Sequence, residues 1–188
     1  MSTSKKKIWW GIGAAILAIY LISIWQYPYS PISFYKNVEV TNAHTYTEED
    51  ILKPLDDVWE SDEAIDDVTV NRLYIMKNIY DFDWLYQESA QLPPEELMMA
   101  EVRVEQSIDA AFSLALYQEG YDQETKSALD LFVTNLQHLE NELRVTKDDE
   151  WASRKELQNR YSSIRKVYRQ NAQSFKEFYN VYHSSRGA

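Results

Sequence analysis

The chain opens on an apolar run, Ile8 to Trp25, eighteen residues without a charge. As a helix it measures about 27 Å, close to the ~30 Å hydrocarbon layer of a bilayer. Trp9 and Trp10 stand at one end and Trp25, Tyr27 and Tyr29 at the other, where amphipathic rings favour the headgroup level. Lys5, Lys6 and Lys7 precede the run, while Lys36 alone follows closely, so the positive-inside bias predicts a cytoplasmic N-terminus and an extracytoplasmic remainder. A secretory signal has a shorter apolar core and a small-x-small cleavage site. The bulky Ser23-Ile24-Trp25-Gln26-Tyr27-Pro28 offers none. The pattern therefore predicts a retained signal-anchor helix over 8–25, in preference to the buried core helix of a soluble protein. Gly11 with Ala15 and Ala14 with Ala18 have the four-residue spacing of a helix-pairing face, or serve as plain lipid-facing filler.

Beyond this run the pattern becomes amphipathic. Tyr27-Pro28-Tyr29-Ser30-Pro31 breaks the first helix, because each proline lacks an N–H and restricts the residue before it. Thr47-Glu48-Glu49-Asp50 has the form of a capping box for a short helix interrupted near Pro54. From Ser61, the positions Ile65, Val68, Ile75, Ile79 and Phe82, flanked by Leu73, Met76, Tyr80 and Trp84, make a wide apolar stripe on one predicted helix. Pro93-Pro94-Glu95-Glu96 starts another, running to about Glu119, with Gly120 suited to end it and Asp122 to cap its successor. Leu129, Phe132, Leu136, Leu139 and Leu143 then alternate three and four apart, a two-heptad seam. After a second candidate capping box, Thr146-Lys147-Asp148-Asp149, the series Leu157, Tyr161, Ile164, Tyr168, Ala172, Phe175 and Tyr179 continues on a long final helix. The short connection predicts a helical hairpin.

The predicted fold is all-α: a single N-terminal transmembrane helix, then an antiparallel helical bundle of about four helices with a long C-terminal helix. Residues 1–7 are assigned to a cytoplasmic N-terminus, 8–25 to the anchor, 26–46 to a Pro-containing linker, 47–182 to an extracytoplasmic helical domain and 183–188 to a flexible tail. So short a seam favours packing within one chain, with an intermolecular coiled coil, and hence a homo-oligomer, as the alternative.

The length of 188 residues allows one ordinary domain after the anchor. The net charge of -11 is unevenly spread. Gln26 to Asp109 carries 19 acidic and 5 basic residues, whereas Trp151 to the end carries 2 and 8. Ten carboxylates fall within residues 48–67. They lack the glycine and alternating spacing of a calcium loop, so they read as a solvated surface partly neutralised by Arg154, Lys155, Arg160, Arg165, Lys166 and Arg169. With no cysteine, the chain has no disulfide, thiolate zinc site, cysteine nucleophile or lipidated cysteine.

Candidate chemistry is sparse. His44, His138 and His183 lack the one-turn spacing of a zinc helix, and there is neither a GxSxG elbow nor a glycine-rich phosphate loop. Asp81-Phe82-Asp83 matches a nucleotide-sugar metal motif as a three-letter string alone. No cofactor or metal is implied. The last helix interleaves aromatic and basic residues, which read first as a tyrosine-lined core and otherwise as a partner groove, with Arg165, Tyr168, Arg169, Phe178 and Tyr182 as the candidate partner surface, Tyr and Arg being favoured at interfaces. The acid block and outside location argue against nucleic acid. In coarse layout the chain resembles bacterial envelope proteins built as an anchor plus a helical bundle, LemA-type proteins among them. It lacks that family's charged-then-Leu-Ile-Pro-Asn signature, and no residue carries over. The expected function is a non-catalytic, membrane-anchored interaction or scaffold module for another envelope protein, with the lipid bilayer as its other partner. The alternatives are an envelope hydrolase using paired carboxylates and a cytosol-facing docking module.

Overall fold

A computed structural model describes residues 3–41, 67–116 and 121–186. Helix α1, Thr3–Gln26, contains the apolar run and begins within the lysine-bearing segment. Its last turn is closed by the Tyr27 amide donating to the Ser23 carbonyl at 2.9 Å, and Pro28 cannot continue that ladder. The chain then turns. The Ser30 amide and hydroxyl both donate to the Tyr27 carbonyl, at 3.2 and 2.7 Å, and Tyr29 swings into the core.

Strand β1, Val38–Thr41, pairs antiparallel with β2, Ser89–Leu92, placing Val38 opposite Leu92 and Val40 opposite Ala90. Those four side chains are buried, while Glu39 and Ser89 stay outside and hydrogen bond at 3.1 Å. The chain is thus predominantly helical with a small sheet, and part of the expected linker is a strand. The Val-x-Val alternation is a period-two signal, but its partner lies far along the chain and no hairpin turn advertises the pairing.

Helix α2, Asp67–Lys77, ends sooner than the sequence stripe implies. Two 3-10 turns follow, Asn78–Tyr80 and Asp83–Leu85, with Phe82 extended between them. Tertiary bonds take over the carbonyls that a longer helix would use. Arg103 donates to the Asn78 and Asp81 carbonyls at 2.9 and 2.8 Å, and the Tyr86 hydroxyl donates to the Tyr80 carbonyl at 2.6 Å. Phe82 and Trp84 are still buried, Phe82 from the extended link and Trp84 from the second 3-10 turn.

Helices α3, Pro94–Leu116, α4, Gln123–Asp148, and α5, Arg154–Arg186, complete the described chain, and each helix from α2 onward packs against the next. Proline and two glutamates occupy the first turn of α3, as its sequence predicts. Asp122 caps α4 by accepting from the Thr125 amide at 2.7 Å. Every residue of the two predicted seams is buried. Phe132 of α4 lies against Phe175 and Phe178 of α5, ring centroids 5.1 and 6.5 Å away.

The helix-start signal at Thr146 is not used. Helix α4 runs through it, and the Thr146 hydroxyl bonds back to the Glu142 carbonyl at 2.7 Å. The capping box belongs to Ser153 and Glu156. The Ser153 amide donates to the Glu156 carboxylate at 2.7 Å, and the Glu156 amide returns a bond to the Ser153 hydroxyl at 3.3 Å. Residues 183–186, expected in a flexible tail, continue α5. Thr47, Pro54, Gly120, His44 and all of the acid block except the Asp67 backbone lie outside the described residues.

Candidate functional site

Helix α1 carries a segment, Trp9–Gln26, of 18 residues and mean hydropathy 1.5, none of it buried in the protein. Length and composition therefore satisfy the requirement of a membrane anchor or a signal sequence. Trp9, Trp10 and Trp25 are all exposed, as are Ile12, Ile16, Leu17, Ile19, Leu21 and Ile22. Such a helix, apolar on all sides and uncovered, has no favourable surroundings in water. Lys5, Lys6 and Lys7 belong to its first turns.

The domain grips the end of this helix. Arg154, at the start of α5, donates from Nε to the Trp25 carbonyl at 3.1 Å and lays its guanidinium over the Trp25 ring, 5.3 Å from the centroid. Tyr27 meets Trp151 edge-on at 6.2 Å. The buried Tyr29 donates its hydroxyl to the Leu92 carbonyl at 2.5 Å, and burial, helped by the Glu95 charge, pushes its pKa far above the usual phenol value. Ser30 is fully buried beside it. The stretch that follows α1 is therefore part of the folded domain rather than a detachable spacer.

A second feature is an open cleft of about 550 Å³ along the irregular segment after α2. Tyr80 and Phe82 form its buried floor, and Tyr74, Asp81, Asp83 and Gln87 its exposed walls, with Lys77 and Tyr86 half-buried. Arg103 stacks over Phe82 at 4.3 Å. Beneath this floor Trp84 touches Phe82, Tyr161 and Tyr168, and accepts a hydrogen bond at its carbonyl from the Tyr161 hydroxyl. Tyr80 donates to the Asn171 amide oxygen. Burial pushes the Tyr161 pKa up to about 12 and raises those of Tyr80 and Tyr168 well above the ordinary phenol value. These phenols stay neutral and structural at ordinary pH. The cleft lining offers the carboxylates of Asp81 and Asp83, the Lys77 amine and the amides of Asn78 and Gln87, groups that can hydrogen bond or pair with a charged ligand.

The candidate partner surface on the last helix is not a surface. Arg165, Tyr168, Phe178 and Tyr182 are buried, and Arg169 is half-buried. Their side chains continue the wide buried face of α5 against α4 and the segment after α2. Phe178 packs on Phe132, Tyr168 on Tyr80 and Trp84, and Tyr182 on Tyr121. The Arg165 guanidinium lies 5.7 Å from the centre of the Tyr161 ring. His138, one position before the seam residue Leu139, is exposed, and His183 is half-buried near the Tyr179 ring. Among the described residues no three His, Asp or Glu side chains are grouped to hold a metal ion.

The sequence reading missed the junction residues Arg154, Trp151, Ile32, Phe34 and Tyr35. One signal was present: no charged residue separates Trp25 from Lys36. Comparison of the chain with protein families, curated proteins and solved structures gives no match.

Proposed function

We propose that this chain is a single-pass membrane protein of a bacterial envelope, with its N-terminus cytoplasmic and a helical domain outside that binds or scaffolds another envelope protein. The observation that carries the reading is the contrast along α1. Its shaft is apolar and uncovered on every side, while its C-terminal end is bonded into the folded domain through Arg154, Trp25 and Tyr29. Removal of α1 would strip contacts from that fold, which supports a retained anchor over a cleaved signal. The three lysines before the span support the orientation.

The packing also supports an antiparallel bundle as the scaffold. Lys147, at the end of α4, reaches Glu101 near the start of α3, and Phe132, early in α4, meets residues late in α5. The exposed Met98, Met99, Val102, Phe112 and Leu116 on α3 give that scaffold an apolar outer face suited to a protein partner. Two experiments test the proposal. Protease added to intact spheroplasts should degrade the domain; protection would place it in the cytosol. A photo-crosslinker at residue 112 or 116 should trap a discrete envelope protein in cells. Recovery of lipid adducts alone would overturn the partner assignment.

A further inference from the structure

The uncharged stretch does not stop where α1 stops: Lys36 is the first charged residue after Lys7. After the elbow the chain turns back along the helix. Tyr20 lies six residues before the helix end, about 9 Å down its axis. Its hydroxyl donates to the Ile32 carbonyl at 3.4 Å, and its ring meets Phe34 edge-on with centroids 6.5 Å apart. Yet Phe34 is 88% exposed and Tyr35 72%, and Ile32 is exposed as well.

Loops rarely present such side chains together to water, and the position of this one explains them. If α1 crosses a bilayer, a ring touching Tyr20 stands below the level of Trp25, at the boundary between headgroups and acyl chains. The backbone suits that depth, where an unpaired polar group is costly. The Ile32 carbonyl accepts from Tyr20, the Ser33 amide donates to the Ser30 carbonyl at 3.0 Å, and the Tyr35 carbonyl accepts from the Ser33 hydroxyl and the Asn37 amide at 3.3 and 2.9 Å. Trp25 and Trp151, 62% and 56% exposed, add aromatic rings at the same junction, with Arg154 held against Trp25. Aromatic rings with a nearby cation are the side chains that favour the interfacial layer.

We propose that residues 31–35 are a second membrane-contacting element, a loop that inserts Ile32, Phe34 and Tyr35 into the outer interfacial layer of the bilayer that α1 crosses. This rests on the spanning reading of α1. The occupant follows from continuity: the loop lies against the helix that the bilayer itself must cover. One helix alone permits the domain to swivel and tilt; helix and loop together hold it in one pose on the lipid.

The chain has no native cysteine, so single spin labels can be placed without background. The full-length protein in nanodiscs of phosphatidylcholine and phosphatidylglycerol is labelled at Ile16→Cys, Ile32→Cys, Phe34→Cys or Leu116→Cys. Collision with oxygen and with a water-soluble nickel complex then reports depth. The Ile32→Cys label leaves the Phe34 ring in place and guards against a displaced loop. The expected result is an oxygen-to-nickel accessibility ratio at residues 32 and 34 severalfold above that at residue 116 and below that at residue 16. Water-like values at 32 and 34 with a lipid-like value at 16 would overturn the loop and leave the anchor standing. Water-like values at all four would overturn the anchor and the loop together.

Discussion

The Tyr29 hydroxyl reaches across 63 residues of sequence to the Leu92 carbonyl, and both groups are buried. It is the bond that joins the elbow after α1 to the end of β2. Tyr29→Phe keeps the ring and leaves that carbonyl without its donor, so it should cost roughly 1–3 kcal/mol. Urea unfolding of the full chain in nanodiscs, followed by circular dichroism, measures the loss. An unchanged midpoint would show that the bond contributes nothing net.

Phe132 lies at the centre of an aromatic contact between α4 and α5. It is fully buried between Phe175 and Phe178. Phe132→Ala should destabilise the domain by about 3–5 kcal/mol, and Phe132→Leu by less, because the cavity is smaller. The ordering of the two unfolding midpoints checks this assignment, and equal midpoints would contradict it.

The start of α5 depends on its reciprocal cap. Ser153→Ala removes one of the two partners and should cost roughly 1 kcal/mol. The pH dependence follows from the carboxylates. Bonds from Ser153 hold the Glu156 pKa below its ordinary value, and bonds from Thr125 do the same for Asp122. Their folded-state values lie below their unfolded ones. The stabilisation is therefore complete above about pH 4–5 and is lost as pH falls through the folded values. In Ser153→Ala this acid-side slope should be shallower in urea titrations between neutral and acid pH.

At alkaline pH the sign reverses. Burial raises the Tyr161 pKa to about 12, and Tyr80 and Tyr168 move the same way. Their contribution is intact below the unfolded phenol value of about 10 and disappears as pH rises through the folded values. Phenolate absorbance should thus appear in two phases, exposed tyrosines first and the buried cluster only with loss of ellipticity. A single phase preceding unfolding would contradict the buried placement.

Arg154 is expected to set the posture of the domain on α1 more than its stability. Arg154→Met removes its bond and stacking to Trp25 at a half-exposed site, and the unfolding midpoint should shift little, within about 0.5 kcal/mol. The distribution of distances between spin labels at Ile16→Cys and Leu116→Cys should broaden. An unaltered distribution would assign the posture to other contacts.

The helical seams were legible because their periodicity expresses burial directly: Leu136 and Leu139, or Ile164 and Tyr168, face inward in the spacing they show in sequence. The sheet was less so. Val38 and Val40 alternate plainly, but their partner Ala90-Gln91-Leu92 has weak strand character and no adjacent turn. Phe82 and Trp84 fit an α-helical stripe but lie in an extended link and a 3-10 turn, where Arg103 and Tyr86 bond the carbonyls of the segment. Arg165 misled the surface assignment, since charged side chains are seldom fully buried and this one is. The junction at Trp25 was hidden for a different reason. Its Arg154 partner comes from a helix start 129 residues away, and nothing in local spacing reports such a contact.

The pairing of Val38 with Leu92 also sets an order of events during synthesis. Helix α1 precedes β2 in the chain and leaves the ribosome before it. Its elbow has no place to lock until β2 has been translated and brought back across the intervening chain. The elbow after α1 is therefore made well before β2 and is among the last parts to become rigid. On the spanning reading of α1, a newly inserted chain would pass through a stage in which it is tethered but not yet oriented.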